Sequence, residues 1–345
     1  MAAARLPTKV FFWLILGTLS VFLAEVAGGS APFLFFDPWG LYAVLPLYTL
    51  HIVFLSFAVV RPGRRIRLAA LFCAGAVFGL YEAYITKVIW DPTWGDRGLA
   101  VGEVFLAQTA MLVLYWHPFM AFVVPLAAGE LLAASSTETR DALPRFLGRA
   151  LRGPWIFAVA AAAAVLVGAG KAVNSPTPLH AALSVLSSAA VPALLALLWR
   201  RGPGWRRRTG LTLRDLLPTG RQGLAVGLLL AAFYVVTGVF IRPASMPRTF
   251  VPHASVAALY AFFGGLAFAV TLRTPRREAG TVPAAAPPDR GRIAAAAVAC
   301  LAAVSAALSR DKAGAGSLAM AAGLVGMAAG LAVAVAAAVA AVRPS

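Results

Sequence analysis

Glu82 and Glu25 lie inside long apolar stretches, and they are the residues of this sequence best placed to do chemistry. Where such a stretch crosses a membrane, a carboxylate costs about 2 kcal/mol or more, and intramembrane acids usually bind a substrate or ion or carry a proton. Lys87 and His117 are basic residues at a suitable height to meet Glu82 if neighbouring helices bring them close. We interpret Glu82 as a substrate or proton site, with a buried structural contact as the alternative. Glu25 is nearer a helix end and can tilt outward, which favours the structural alternative there.

Depth along the predicted helices places several polar side chains in one layer. A helix rises about 1.5 Å per residue through a hydrocarbon core of about 30 Å, so Glu82 lies roughly 22 Å from the inner end of its span. Glu25 and His117 reach nearly the same height in the outer leaflet, whereas His51 lies deeper, near the midplane. Tyrosines share the outer layer, namely Tyr48, Tyr81, Tyr84 and Tyr115.

Lys87 follows Glu82 by five residues on a predicted span over residues 67–90. Five residues turn an α-helix by roughly 500°, which leaves the two side chains about 140° apart. Lys87 therefore cannot neutralise Glu82 along the same helix. Glu82 must be protonated, hydrated in a cavity, or paired with a group from another span.

The outer loops add Asp91 and Glu103 to the candidates. Residues 37–40 (DPWG) and residues 91–95 (DPTWG) resemble each other. Helix capping by Asp, Pro in the first turn and Trp at the headgroup level explain both motifs without a function. The alternative is a pair of outer carboxylates beside aromatic rings, suited to a cation or a polar headgroup. Glu103 is a possible acid–base partner for His117.

Motifs for metal, cofactor or hydrolytic chemistry do not occur in the sequence. There is no HExxH, no GxSxG and no cysteine pair at metal spacing, and the four histidines are scattered. We therefore predict neither a metal nor a cofactor. Lys171 and His180 flank an outer turn over residues 174–178, where a snorkelling lysine and turn chemistry explain them without function.

Composition excludes several classes of protein. Of the 345 residues, 61% are hydrophobic and only 12% are charged, with a mean hydropathy of +0.82. A soluble domain carries about a quarter charged residues, so this chain lacks the polar surface to cover a globule. A soluble enzyme, a nucleic-acid-binding domain and a disordered chain are excluded, and the net charge of +17 comes from short basic stretches between apolar runs.

The apolar runs predict an all-α polytopic membrane bundle of about ten spans. The predicted spans cover residues 10–27, 41–60, 67–90, about 104–134, 154–172, 178–199, 222–241, 253–272, 293–309 and 317–342. The fourth run is long enough to include a surface helix near 99–112, followed by a span in which His117-Pro118 produces a kink. The first run also fits a signal peptide, but its length and Glu25 favour an uncleaved span.

The basic residues orient the spans. With both termini inside, the inner segments hold 23 of the 30 Lys and Arg residues, and every inner loop exceeds its outer neighbours. The inner Arg-rich stretches at 61–67, 200–208 and 273–277 are candidate contacts for anionic lipid headgroups. Their use as topological signals explains them equally well.

Composition also divides the chain into two halves. Residues 1–134 hold 23 of the 36 aromatic residues and form an acid-rich front half of about four spans. Residues 135–153 are a basic inner loop, and residues 154–345 form an Ala- and Gly-rich rear half of about six spans, with an inner linker over 275–292. The pairs Gly223/Gly227 and Gly326/Gly330 have the spacing of close helix contacts. We interpret the front half as the working part and the rear half as scaffold.

Three functions compete on this evidence. A transporter or permease with its polar site in the outer half of the front helices is favoured by a small margin. A membrane enzyme acting on a lipid or lipid-linked substrate and a non-catalytic structural or assembly protein are the alternatives, so whether the chain is an enzyme stays open. The substrate and the oligomeric state are not encoded in any motif, nucleic acid is not expected as a partner, and the GC-rich composition suggests a bacterial cell membrane.

Labelling of introduced cysteines tests the topology. Residues 61–67, 138–150, 200–220 and 275–292 are expected to react only from the cytoplasmic side, because these loops carry the densest positive charge. Labelling of residues 202–210 from outside the cell would overturn the ten-span arrangement.

Overall fold

The structure, a computed structural model, describes residues 4–92, 98–150, 155–202, 210–240, 244, 246–276 and 290–342. Within these ranges, nine helices are long and apolar enough to cross a membrane, and a tenth apolar helix is shorter. The predicted polytopic helical membrane fold is therefore confirmed. The segment 203–209 with its three arginines, most of the predicted linker 275–292, and residues 93–97, which include the end of the second outer motif, lie outside the described residues.

Each predicted span corresponds to one helix. The helices are α1 Leu6–Val26, α2 Gly40–Val59, α3 Leu68–Tyr84, α4 Leu106–Ala133, α5 Ile156–Val173, α6 Pro178–Arg201, α7 Gly220–Phe240, α8 Phe250–Arg273, α9 Arg290–Leu308 and α10 Lys312–Val342. Shorter elements are a 3₁₀ turn at Leu34–Phe36 and helices at Glu138–Asp141, Arg145–Ala150 and Leu213–Leu216. Helix α6 begins at a cap that the sequence signals, since the Thr177 hydroxyl accepts from the His180 amide and Pro178 takes the first helical position.

Helix α3 is shorter than the span predicted over residues 67–90. Its regular part, Leu68–Gly79, is followed by one helical turn, Tyr81–Tyr84, after which the chain leaves the helix. Lys87 has a φ of 61°, which an α-helix does not accommodate. The predicted angular separation of Glu82 and Lys87 is therefore wrong, because Lys87 lies beyond the helix end.

The surface helix predicted near 99–112 is also wrong. Strands β1, Ala100–Val101, and β2, Val104–Phe105, form an antiparallel hairpin there, and α4 begins directly after it. The turn residues Gly102 and Glu103 have φ of 51° and 72°, as a tight two-residue hairpin turn requires. The predicted surface helix does not form at residues 102–103, because both residues have a left-handed backbone conformation.

Pro118, where the sequence predicts a kink, lies in an irregular part of α4. The residues Met111–Val123 are π-helical, with regular helix before and after them. Proline removes an amide donor from the helix interior, and π-helical turns are a known way to absorb such an interruption. The distortion therefore surrounds His117, one of the candidate site residues.

Two compact units make up the chain. Unit 1 comprises residues 1–49, 124–217 and 278–325, and unit 2 comprises residues 50–123, 218–277 and 326–345. Each unit takes residues from before and after the basic loop 135–153. The predicted division of labour between front and rear halves is thus a statement about composition, and it stays a prediction.

Unit 1 is built around α1, α5, α6 and α9. Helix α9 packs against α5 and α6, and α1 packs against α6 and the last turns of α4. Phe12, Ile15 and Leu16 of α1 are completely buried, and the rings of Phe11 and Phe12 contact Trp199 of α6.

Unit 2 is built around α3. This helix packs against the π-helical part of α4 on one side and against α8 on another. The small-residue pairs of the sequence serve close packing here, as predicted. A Cβ on Gly223 or Gly227 would collide with Phe57 or Phe54 of α2, and one on Gly330 would overlap the Leu114 carbonyl of α4.

Glu130, at the C-terminal end of α4, organises the loop that follows it in unit 1. Its buried carboxylate accepts the Ser136 hydroxyl at 2.7 Å and the backbone amides of Glu138 and Thr139 at 2.7 and 2.8 Å. Those amides open the short helix Glu138–Asp141, where a negative charge is favoured. Glu138 in turn pairs with Arg214 at 2.8 Å. Through these contacts Glu130 has a structural role.

We predict that Glu130→Gln lowers the free energy of unfolding by about 1.5–3 kcal/mol, since an amide cannot accept three charge-assisted hydrogen bonds. Thermal unfolding in detergent measures the loss. Glu103→Gln, at an exposed turn, is the control and should stay within about 0.5 kcal/mol of the parent. Equal stability of the two variants would contradict the structural role.

Candidate functional site

The short helix α3 brings Glu82 to the π-helical segment of α4. Glu82 is 7% exposed, and its Oε1 lies 3.6 Å from Nε2 of His117, which is 1% exposed. The Thr86 hydroxyl donates to the other carboxylate oxygen, Oε2. A carboxyl group and an imidazole therefore meet inside unit 2, as one of the sequence hypotheses requires.

Two glycines on α3 make this approach possible. A Cβ on Gly75 would lie 2.5 Å from Cα of Pro118, and one on Gly79 would lie 2.8 Å from the Leu112 carbonyl and 3.1 Å from Cβ of His117. Gly75 and Gly79 are four residues apart and lie on one face of the helix. The backbone of α4 thus packs directly on α3. His117 lies against Gly79, which precedes Glu82 by about one helical turn.

A second imidazole lies beside this pair. The ring of His51 stacks on Phe78 with centroids 4.5 Å apart and an interplanar angle of 7°. Its Nε2 is 2.8 Å from the Tyr234 hydroxyl, which is 3.4 Å from the Tyr260 hydroxyl. His51 is close enough to His117 for electrostatic interaction. A chain of polar groups therefore runs from α2 to α7 and α8.

Tyr81 joins the two parts of the cluster. Its ring centroid lies 5.2 Å from that of His117 and 5.7 Å from that of His51. Glu82 is likewise within electrostatic range of Tyr234. We call this set the Glu82 cluster; its members are Glu82, His117, His51, Tyr81, Tyr234 and Tyr260.

An aromatic group follows one turn further along α3. The Tyr84 hydroxyl is 3.0 Å from Nδ1 of His253, and the two rings stack at 5.9 Å and 12°. The Trp90 ring lies 5.2 Å from Tyr84 and 6.2 Å from His253.

The remaining candidates of unit 2 are placed differently. Lys87 is completely buried in the non-helical segment after α3, and its carbonyl accepts the amides of Trp90 and Asp91. Asp91 is half-buried in the same turn. Glu103 is exposed in the β1–β2 turn, so its side chain is turned to the surroundings.

Glu25 lies in unit 1, at the π-helical end of α1. Its Oε1 accepts the Tyr48 hydroxyl and its Oε2 accepts the Ser30 hydroxyl at 2.6 Å. Two hydroxyl donors and a half-buried position are typical of a structural acid. The structural alternative weighed for Glu25 is thus the one its contacts favour.

Sequence reasoning missed the rear-half members of the cluster. Tyr234 and Tyr260 are the two tyrosines after residue 134, isolated in Ala- and Leu-rich spans, and that isolation is a usable signal. The sequence places His51 near the midplane, but no pattern in it connects His51 with Glu82 or His117. Pairing of His51 with Tyr234 depends on how α2 and α7 pack, which no local pattern shows.

The cluster holds groups that exchange protons: one carboxyl, two imidazoles and three phenols. Among the described residues, no group of three or more His, Cys, Asp or Glu side chains is arranged to hold a metal ion. The aromatic rings of Tyr81, Phe78 and Tyr234 also offer faces to a cation. The arrangement can therefore bind and release protons next to an aromatic surface.

Comparison with known proteins places the chain in a family. Residues 14–343 match a family described as an uncharacterized membrane protein family. The chain belongs to this family. Together with the nine long apolar helices of the described residues, the match establishes a multi-pass membrane protein.

A relative from the archaeon Archaeoglobus fulgidus is described as an uncharacterized protein. It is 37% identical over 213 residues, which cover 62% of this chain and 63% of the relative. The match thus spans slightly less than two thirds of the relative's length. No solved structure matches the chain.

We predict that Gly79→Ala destabilises the protein by about 1–3 kcal/mol, because the added methyl group pushes against the backbone of α4. Gly264→Ala on α8 is the matched control, since a Cβ there meets no atom within 4 Å and alanine favours helix. Thermal unfolding of both variants in the same detergent measures the difference. If Gly79→Ala unfolds at the parental temperature, α4 does not rest on this glycine.

Proposed function

We propose that this protein is a proton-coupled transporter that exchanges protons for a small cation at the Glu82 cluster. The observation that carries the proposal is a buried carboxyl–imidazole pair at the point where α3 ends early and α4 is π-helical. Discontinuous helices are typical of transporter binding sites. Non-helical backbone at such depth is tolerated where it is buried in protein or lines a cavity.

Charge balance favours exchange of a proton for a cation. With one proton shared between them, Glu82 and His117 together contribute no net charge to the cluster, and a low-dielectric environment favours a neutral pair. Loss of that proton adds one negative charge to the cluster, which an entering cation offsets. The faces of Tyr81, Phe78 and Tyr234 supply cation–π contacts for an organic cation.

His51 and the two rear tyrosines provide a route for the released proton. His51 and Tyr234 are hydrogen-bonded at 2.8 Å, and Tyr260 follows at 3.4 Å, so each group can pass on a proton as it accepts another. In this proposal Glu82 is the coupling acid, His117 its charge partner, and His51 with Tyr234 the relay. Helices α7 and α8 are then part of the working site and not scaffold.

The proposed setting is the cytoplasmic membrane, with inner Arg-rich loops against anionic headgroups. Some of these arginines have other contacts. The Arg64 guanidinium donates to the Leu272 and Thr274 carbonyls at the end of α8, and Arg200 donates to the Leu132 carbonyl at the end of α4. The exposed Arg65 and Arg67 are the residues of the 61–67 stretch that we assign to headgroups.

Proton flux into proteoliposomes tests the function. Vesicles containing a trapped pH indicator are challenged with a panel of organic and inorganic cations. We expect the parent to release protons against one class of cation and Glu82→Gln to lose this flux, since the amide binds no exchangeable proton. Glu103→Gln is the matched control and should transport like the parent. A parent inert to every cation, or Glu82→Gln with parental flux, would contradict the proposal.

Stability of two substitutions separates a coupling acid from a structural one. Glu82→Gln should fold like the parent, because the amide keeps the size and a hydrogen-bond acceptor for Thr86. Glu82→Leu leaves its polar neighbours without that acceptor and should cost about 1–3 kcal/mol. If Glu82→Gln transports and folds normally while Glu82→Leu unfolds, the acid is a structural contact only.

A further inference from the structure

Unit 1 contains a buried lysine with unusual surroundings. Lys171, three residues from the end of α5, is 1% exposed, so the snorkelling expected from sequence is wrong. No hydrogen bond or ion pair joins its ammonium group to any residue within the described ranges. A lysine ammonium in such surroundings either loses its proton or is stabilised by an accompanying anion.

The loop after α1 encloses Lys171. Gly29 has a φ of +90°, and a Cβ on it would come 3.0 Å from Cα of Lys171. Only glycine fits this approach without strain. The loop after α1 therefore packs directly on the backbone of α5 at Lys171.

Two further cationic groups lie at the same end of α5. The Lys312 ammonium donates to the carbonyls of Ala172, Val173 and Ser175, which fixes it at the helix end. His180, at the start of α6, is within electrostatic range of both Lys171 and Lys312. Its Nδ1 is buried and has no hydrogen-bond partner in the part of the chain that the structure describes.

Acidic side chains near this group are used elsewhere. Asp311 precedes Lys312, and its Oδ1 accepts the Gly314 amide at 3.0 Å as a helix cap. The Glu25 carboxylate is held by Tyr48 and Ser30. Among the described residues, no carboxylate forms an ion pair with Lys171 or Lys312.

We propose that Lys171 and His180 form a binding site for a phosphate group, with the Lys312 ammonium as a nearby fixed positive charge. A phosphate carries up to two negative charges and several acceptor oxygens, which suits the Lys171 ammonium and an imidazole N–H. The three N–H groups of Lys312 are taken by carbonyls, so this residue adds charge only. The inferred topology puts this end of α5 on the outer side, at the level of lipid headgroups. The source is either free phosphate or the headgroup of an anionic lipid, and both supply the same oxygens.

Apolar residues border the group. The Phe33 ring meets His180 edge-on at 5.2 Å, and Phe33 and Leu179 are 36% and 66% exposed. Exposed apolar side chains next to a cationic pocket are suited to the acyl chains of a lipid phosphate. The site lies in unit 1 and shares no residue with the Glu82 cluster, so its test is independent of the proposed transport.

Thermal stability of the purified full chain tests the site. The first arm adds inorganic phosphate in detergent, against sodium chloride at equal ionic strength. The second arm places the protein in nanodiscs of phosphatidylglycerol or of phosphatidylcholine. Stabilisation by inorganic phosphate identifies free phosphate as a ligand, and stabilisation by phosphatidylglycerol alone identifies a lipid headgroup. Either result supports the site if it depends on Lys171.

The Lys171→Met variant tests whether stabilisation by phosphate depends on Lys171, and Arg310→Met is the matched control. Both variants remove one positive charge at the outer end, but Arg310 is exposed. We expect Lys171→Met to weaken the phosphate response about 10- to 100-fold, as loss of one charge-assisted contact does. Without phosphate it should be at least as stable as the parent, since an uncompensated buried charge is gone.

The opposite results would overturn the site. The proposal fails if neither phosphate source stabilises the parent, or if Lys171→Met keeps the full response. It also fails if Arg310→Met loses the response equally, which would indicate general surface charge. A Lys171→Met variant that is less stable without phosphate and unresponsive with it would show a structural lysine.

Discussion

The early end of α3 is the constraint on which the rest of unit 2 depends. A chain that leaves the helix at membrane depth must satisfy its amides and carbonyls without water, and each failure costs several kcal/mol. Here the Lys87 carbonyl accepts the amides of Trp90 and Asp91, and the Ile89 carbonyl accepts the Phe105 amide from the hairpin. The hairpin that replaces the expected surface helix thus completes the backbone hydrogen bonding of the interrupted segment. The early end of α3 and the β1–β2 hairpin therefore depend on each other.

The same requirement explains several charged residues counted as topological signals. Lys9, Arg64, Arg200 and Lys312 each donate to backbone carbonyls at the end of a helix or in the turn after one. The last four carbonyls of a helix have no partner within it, and cations favour that end of the helix dipole. A positive charge near a span therefore orients the chain during insertion and closes a helix end after folding. These arginines and lysines are less available to lipid than their number suggests.

Local sequence patterns were sufficient to predict the helices and to predict that Glu82 and His117 lie at a similar height. Apolar runs located every span, and depth counting put Glu82 and His117 at the same height, which their 3.6 Å contact bears out. The end of α3 could not be found this way, because residues 85–90 are as apolar as the helix before them and only the left-handed Lys87 reveals the turn. Hydropathy measures the preference for lipid and is blind to backbone conformation.

Long-range pairing accounts for what sequence reasoning missed. His51 meets Tyr234, and Tyr84 meets His253, across more than 160 residues of chain in each case. Small residues on an Ala-rich span let a neighbouring helix come close. A single tyrosine on such a span can therefore reach a side chain on that neighbouring helix. The sparse polar residues of these spans, among them Tyr234, His253 and Tyr260, were therefore the more informative ones, because most of their neighbours are small or apolar.

The Glu82 cluster and the group around Lys171 also differ in how their charges can be balanced. At the Glu82 cluster an acid is surrounded by groups that can take or give a proton, so its charge can be adjusted in place. At Lys171 the neighbours Lys312 and His180 are cationic or neutral, and no proton shift among them yields a negative charge. The first site can therefore be neutral without a ligand. At the second site a neutral state requires either loss of the lysine proton or the bound anion that we propose.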